Sequence, residues 1–186
     1  KDCSTKPLSN GLSKALKKIR TDKKYHCQKI EKYDGINRYW IADSSQPILD
    51  CIDNLNQTNT VRSITSYDFS NLYTSLPHSE IMSSLDKLAK EVFQNRTKKN
   101  KPDKLSVYKS RKPDEIWNSA NWVKKPRPAT LHFTYDSLIK SLQFQLDNTY
   151  FIFGGKVFDQ KIGIPMGTND GPEVANLHLH QQEYDY

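Results

Sequence analysis

Cysteine is scarce in this chain: three residues, Cys3, Cys27 and Cys51, stand far apart, odd in number and with no C-x-x-C pair. That usage indicates neither a disulfide framework nor a zinc site, and a reducing compartment fits it best. Long hydrophobic runs are missing too. No segment approaches the apolar length that spans a bilayer, and no short apolar stretch follows basic residues at the N-terminus. The sequence therefore reads as neither membrane-bound nor secreted. It also has no internal repeat.

What is present is a rather polar chain with many rings. Of the 186 residues, 35% are hydrophobic and 26% charged, yet ten Tyr, seven Phe and three Trp are too many aromatics for a disordered tail. The length suits one ordinary domain with a proper core, carrying polar loops. The chain begins at Lys1 rather than Met and stops at Tyr186 inside an expected helix. It is expected to be a piece of something longer.

The net charge of +7 is unevenly distributed. Residues 1–38 carry a net +7 and residues 94–128 a net +8, whereas 39–93 and 129–186 carry −4 each. Basic blocks that neutralise phosphates, set apart from carboxylates that hold metal ions, are what a nucleic-acid enzyme needs. A solvated lysine-rich face gives the same counts. The candidate contacts to nucleic acid are Lys14, Lys17 and Lys18 in the first block, and Lys98, Lys99, Arg111, Lys112, Lys124 and Lys125 in the second. Tyr108, Trp117 and Trp122 are interleaved with the second set, either as stacking platforms for bases or as anchors pinning a long loop to the body.

Periodicity predicts five helices. Leu8, Leu12, Ala15, Leu16 and Ile19 form the apolar stripe of a basic helix, and Pro47 opens a short one carrying Ile48, Ile52 and Leu55. Ile81, Leu85, Leu88 and Val92 give the strongest pattern. Thr134 caps a helix with Leu138, Leu142 and Leu146, and Pro172 opens another with Val174, Ala175, Leu177 and Leu179. WIAD reads as a short strand, and 63–70, rich in β-branched and aromatic residues, as an extended segment ending near Pro77. Gly154-Gly155 between YFIF and KVFDQ predicts a hairpin. The second basic block, about 94–130, reads as a long loop or insertion. With no repeated βαβ unit, the fold class is α+β with an antiparallel sheet.

In SYDFSNLYTSLPH, Asp68 stands at the end of an expected strand, before a turn and a helix. This is a common way to present a metal ligand for phosphoryl transfer, although aspartates that merely cap a turn are commoner. DFSNLYTSLPH with its helix, then the hairpin, QKIGIPMGTN and a further helix, resembles motifs A and B of reverse transcriptases in order and separation. The chain is most similar to the Penelope-like retroelements, whose reverse transcriptases are related to telomerase. CSTKPLS, SQPILD and YFIFGGKVFDQKIGIPMG share the likeness, which is weakest between Asn95 and Thr130.

The resemblance implies a partial polymerase palm, an antiparallel sheet with packed helices, plus the end of the fingers. Residues 1–62 would be the end of the fingers with the helices leading into the palm, and 63–186 the partial palm with its basic insertion. It implies RNA-directed DNA synthesis with Mg²⁺, an RNA template, a DNA primer and deoxynucleoside triphosphates, inside the cell and in the nucleus. Asp68 matches the metal-binding aspartate of motif A, with the Phe69 carbonyl assisting. Tyr73 falls on the steric gate beneath the incoming sugar; without the motif it would read as a core aromatic. Gln160, Gly163, Pro165, Met166 and Gly167 match the loop that touches nucleotide and template-primer, where glycine lets backbone approach closely.

Two departures stand out. Asp170, Gly171 and Glu173 replace the small or apolar residues usual after motif B, and the following helix is more polar than expected. The aspartate pair of motif C is not within the 186 residues, nor are the fingers residues that grip triphosphate. The chain should not polymerise alone, and a degenerate or domesticated fragment that binds nucleic acid without catalysis is the alternative. His178 and His180, two apart on a helix, are expected to face different sides.

Overall fold

The computed structural model describes residues 5–58, 63–110, 117–128 and 130–186. In chain order they form α1 (Lys6–Asp34), α2 (Gln46–Thr58), α3 (Leu72–Ser75), α4 (His78–Lys98), β1 (Lys104–Lys109), β2 (Trp117–Val123), β3 (Leu131–Phe133), α5 (Tyr135–Asp147), β4 (Tyr150–Phe153), β5 (Lys156–Asp159) and α6 (Gly171–Asp185). The architecture is α+β, with every strand pairing antiparallel: a three-stranded sheet ordered β2-β1-β3 and a two-stranded hairpin β4-β5.

The helices form where the apolar period predicts. Leu12, Ala15, Leu16 and Ile19 of α1, Ile81, Leu85 and Leu88 of α4, and Leu138 and Leu142 of α5 all enter one core. Thr134 caps α5 by accepting from the Ser137 amide while the Ser137 hydroxyl accepts from the Thr134 amide, a reciprocal capping box. Residues on both sides of position 62 share this core.

α6 lies against both α1 and α4. Packed on two sides, it has no single apolar stripe: Val174, Ala175 and Leu177 are buried, but so are His178, His180 and Gln181. His178 Nδ1 meets the Ser84 hydroxyl at 3.0 Å, whereas His180 lies between the Tyr39 and Tyr184 rings at 5.1 and 6.0 Å. The two histidines do face different sides. Burial lowers the pKa of His178 and takes that of His180 to about 4, so both are neutral near pH 7.

The basic block is not a plain loop. It supplies β1 and β2, and β1 also pairs with β3. Leu105, Val107 and Ala120 turn inward from this sheet, and the tryptophans fasten it to α1. The Trp117 indole N–H donates to the Pro7 carbonyl at 3.0 Å, and that of Trp122 to Asp22 Oδ2 at 2.6 Å. The Trp122 ring meets Phe93 edge-on at 4.8 Å and carries the Arg96 guanidinium at 4.4 Å. Both indoles are therefore anchors, committed to the body of the protein.

Two further expectations are corrected. WIAD is not a strand, and 63–70, though extended, has no ladder partner among the described residues. Its side chains are exposed throughout, with Ile64 at 69% and Tyr67 at 90%. The hairpin β4-β5 and the α2 face with Ile48 are also uncovered. Without a neighbouring strand or helix, extended sequence preference alone builds no sheet.

Candidate functional site

The site grows from a junction of two loops. After the exposed stretch at 63–70, Asn71 adopts a left-handed conformation (φ 62°) and the chain turns into α3. At the end of α3 the backbone meets the loop after β5: the Gly163 amide donates to the Leu76 carbonyl and the Ile164 amide to the Tyr73 carbonyl, both at 2.7 Å. A single bridge pairs Pro77 with Ile162. His78, at the start of α4, closes the junction with its Nε2 2.9 Å from the Gly163 carbonyl.

Glycine is required at position 163 by this approach. Its φ is 89°, and a Cβ would overlap the Tyr73 carbonyl oxygen and stand 3.0 Å from the Thr74 Cα. What comes close is the backbone of the preceding motif. Tyr73 itself is half-buried against the core, and Ile164 is buried beside it. His78 is not among the residues that the motifs single out; its place directly after Pro77, where α4 begins, is the signal that points to it.

The other predicted residues divide between loop and surface. Gln160 is half-buried and its side-chain amide donates to the Ile162 carbonyl at 3.1 Å. Pro165 is buried and its carbonyl accepts from the Thr168 hydroxyl at 3.0 Å. Met166 is 74% exposed, and Gly167 (φ 95°) has open space where a Cβ would point. Phe69 is exposed, as is Asp68, whose Oδ1 accepts from the Phe69 amide at 2.8 Å. Among the described residues, no group of three His, Cys, Asp or Glu side chains could hold a metal ion. One exposed carboxylate does not make a magnesium site, so the described residues do not fit that ion without further ligands.

Asp170 and Glu173, which depart from the resembled pattern, have structural roles. The Ser9 hydroxyl donates to Asp170 Oδ1 at 2.6 Å while accepting from the Asn169 amide at 2.8 Å. Burial raises the Asp170 pKa, against the lowering effect of the Ser9 hydrogen bond. Glu173 pairs with Arg20 Nε at 2.8 Å, and its pKa is raised by burial against the pull of Arg20. Both carboxylates lock α6 to α1.

The candidate basic contacts are scattered. Lys14 is half-buried and Lys17 exposed, while Lys18 pairs with Asp22 at 3.0 Å. Lys98, Lys99, Lys124 and Lys125 are exposed; Arg111 and Lys112 lie outside the described residues. Sequence reasoning missed a second cationic cluster, where Lys29 of α1 and Lys101 after α4 face one cleft with Lys99. A search of family models, curated proteins and solved structures finds no match to the chain.

Proposed function

We propose that the chain is part of an RNA-directed DNA polymerase of the Penelope-like type, comprising the end of the fingers and the front of the palm. The observation that supports this most is the loop junction. Segments 85 residues apart, carrying the A-like and B-like motifs, are joined through His78, Gly163 and paired backbone hydrogen bonds. A nucleotide site shared by Tyr73 and the 160–167 loop needs that adjacency. In this reading Asp68 is one carboxylate of a magnesium-binding set whose other members come from outside the described residues. Tyr73 selects the sugar, and template, primer and deoxynucleoside triphosphates are the ligands.

The test is primer extension by a chain that includes the downstream region. Asp68→Ala should abolish extension and spare template binding. Because Asp68 is exposed, the substitution should move stability by no more than about 0.5 kcal/mol, which separates lost chemistry from lost fold. Retained synthesis would sink the assignment. Tyr73→Ala should admit ribonucleotides, and unchanged sugar selection would remove its gate role.

A second reading, nucleic-acid binding without catalysis, is favoured by Asp68 being exposed and belonging to no group of three possible metal ligands among the described residues. Salt-dependent binding with no extension, even after the downstream region is supplied, selects it.

A further inference from the structure

A cleft of about 320 Å³ opens between the middle of α1 and the C-terminal end of α4. Its two carboxylates are already engaged. Asp22 accepts from Lys18, Arg96 and Trp122, and Glu91 pairs with Lys23 at 2.6 Å and lies 3.5 Å from His26. Lys29, Lys99 and Lys101 also line the cleft and have no ion-pair partner among the described residues. Arg96 and Asn100 hold the two later lysines in place. The amides of Lys99 and Lys101 donate to the Arg96 carbonyl, Asn100 turns left-handed (φ 51°), and Arg96 Nε donates to the Pro102 carbonyl at 2.7 Å. The three amides of this turn occupy carbonyls that would otherwise repel an anion at the helix end.

The cleft continues along α1 into a second hollow of about 780 Å³, which shares Tyr25 and Lys29 and adds Tyr33. Tyr25 is 70% exposed and Tyr33 85%, with Lys29 between them in sequence. Eight helical residues separate the rings by about 12 Å along the axis. Glu31 and Lys32 also border this hollow and offset one another.

We propose that the cleft and the adjoining face of α1 bind single-stranded nucleic acid, with phosphates at Lys29, Lys99 and Lys101 and unstacked bases on Tyr25 and Tyr33. Exposed rings set among unpaired lysines match an unpaired strand better than a duplex, whose bases are hidden from stacking. The track is separate from the loop junction: His78 and the 95–98 end of α4 lie about 25–30 Å apart along that helix. His26 records the local field. Its pKa is lowered by burial, with Glu91 opposing and Lys23, Lys99 and Lys29 reinforcing. A phosphate arriving among those lysines raises it.

The inference rests on the chain being a nucleic-acid protein, not on its catalysis. The experiment is fluorescence anisotropy of the 186-residue chain with labelled oligo-U, oligo-dT and a blunt duplex across 50 to 200 mM salt, with His26 followed by NMR. Lys29→Ala/Lys99→Ala/Lys101→Ala is expected to weaken single-strand binding and to reduce the slope of log K against log salt by about 2. Tyr25→Ala/Tyr33→Ala should weaken it by about tenfold or more with the slope kept. All five side chains are exposed, so melting temperatures should hold. Single strands should raise the His26 pKa in the parent chain. If the parent binds but neither variant changes affinity, or duplex binds equally well and the tyrosine variant is neutral, the track is wrong and the function proposed above is untouched. Absence of any salt-dependent binding overturns the track and the nucleic-acid reading together.

Discussion

Gly163→Ala tests whether the loop junction is a specific assembly. The substitution places a methyl group onto the Tyr73 carbonyl oxygen and 3.0 to 3.1 Å from Thr74 backbone atoms, none of which is the movable end of a side chain. It also forces an L-residue to φ 89°, at roughly 1–2 kcal/mol. Relief requires the loops to part, which breaks the two 2.7 Å hydrogen bonds from Gly163 and Ile164, each worth about 1 kcal/mol. Together these give about 3–4 kcal/mol. For 186 residues the unfolding entropy is about 0.4 kcal/mol/K, so Tm should fall by about 8–10 °C if the cost is felt globally. If the junction opens locally, native-state hydrogen exchange shows it as lost protection at the amides of 163 and 164 while the core amides of α1 and α4 stay protected. Gly167→Ala is the control, since its φ is 95° but nothing stands within 4 Å of the added carbon. It should cost only the conformational part and leave both amides protected. Equal costs for the two variants, or full stability and protection in Gly163→Ala, would refute the close-approach argument.

Other expectations follow from single contacts. Trp122→Phe keeps the edge contact with Phe93 but loses the charge-assisted bond to Asp22, and should cost about 1.5 kcal/mol in urea unfolding; an unchanged midpoint would mean that the indole N–H contributes nothing. Asp170 has a raised pKa in the fold, so the folded state binds its proton more tightly than the unfolded one. Stability from this group is therefore gained as pH falls from the raised folded value toward 3.8, and the burial cost is fully present above that folded value. Asp170→Asn keeps an oxygen for Ser9 and offers an N–H toward Thr168. It should stabilise at pH 7 and lose that gain as the pH drops into the ordinary carboxylate range. Destabilisation at pH 7 that vanishes at the lower pH would show that the charge itself is wanted.

Much of this molecule was legible because its long helices carry apolar residues at helical spacing and its hairpin carries Gly154-Gly155, both with positive φ. The sheet in the basic block was not. In β1, KLSVYK, lysines end a short apolar alternation, and β2, WNSANWV, contains Asn and Ser that are poor strand formers. Its placement depends on indole contacts to Pro7 and Asp22, 110 and 100 residues away respectively, which no local pattern encodes. The segment at 63–70 shows the converse: strand-like residues without a partner stay extended and exposed. Motif order and spacing pair Tyr73 with Gly163 but carry no sign of His78, whose role depends on where the chain folds back.

The burial of α6 between α1 and α4 has a temporal consequence. The Ser9–Asp170 hydrogen bond joins residues 161 positions apart, so α1, which meets β1, β2, α4 and α5 earlier in the chain, completes its packing only when α6 exists. At a synthesis rate of about 5–20 residues per second, the face of α1 that meets α6 would wait roughly 8–30 s for this last partner, open to water or to a holdase. The nascent chain is thus most vulnerable during translation, and slowing the ribosome ahead of residue 170 should lower the yield of folded protein more than slowing it afterwards.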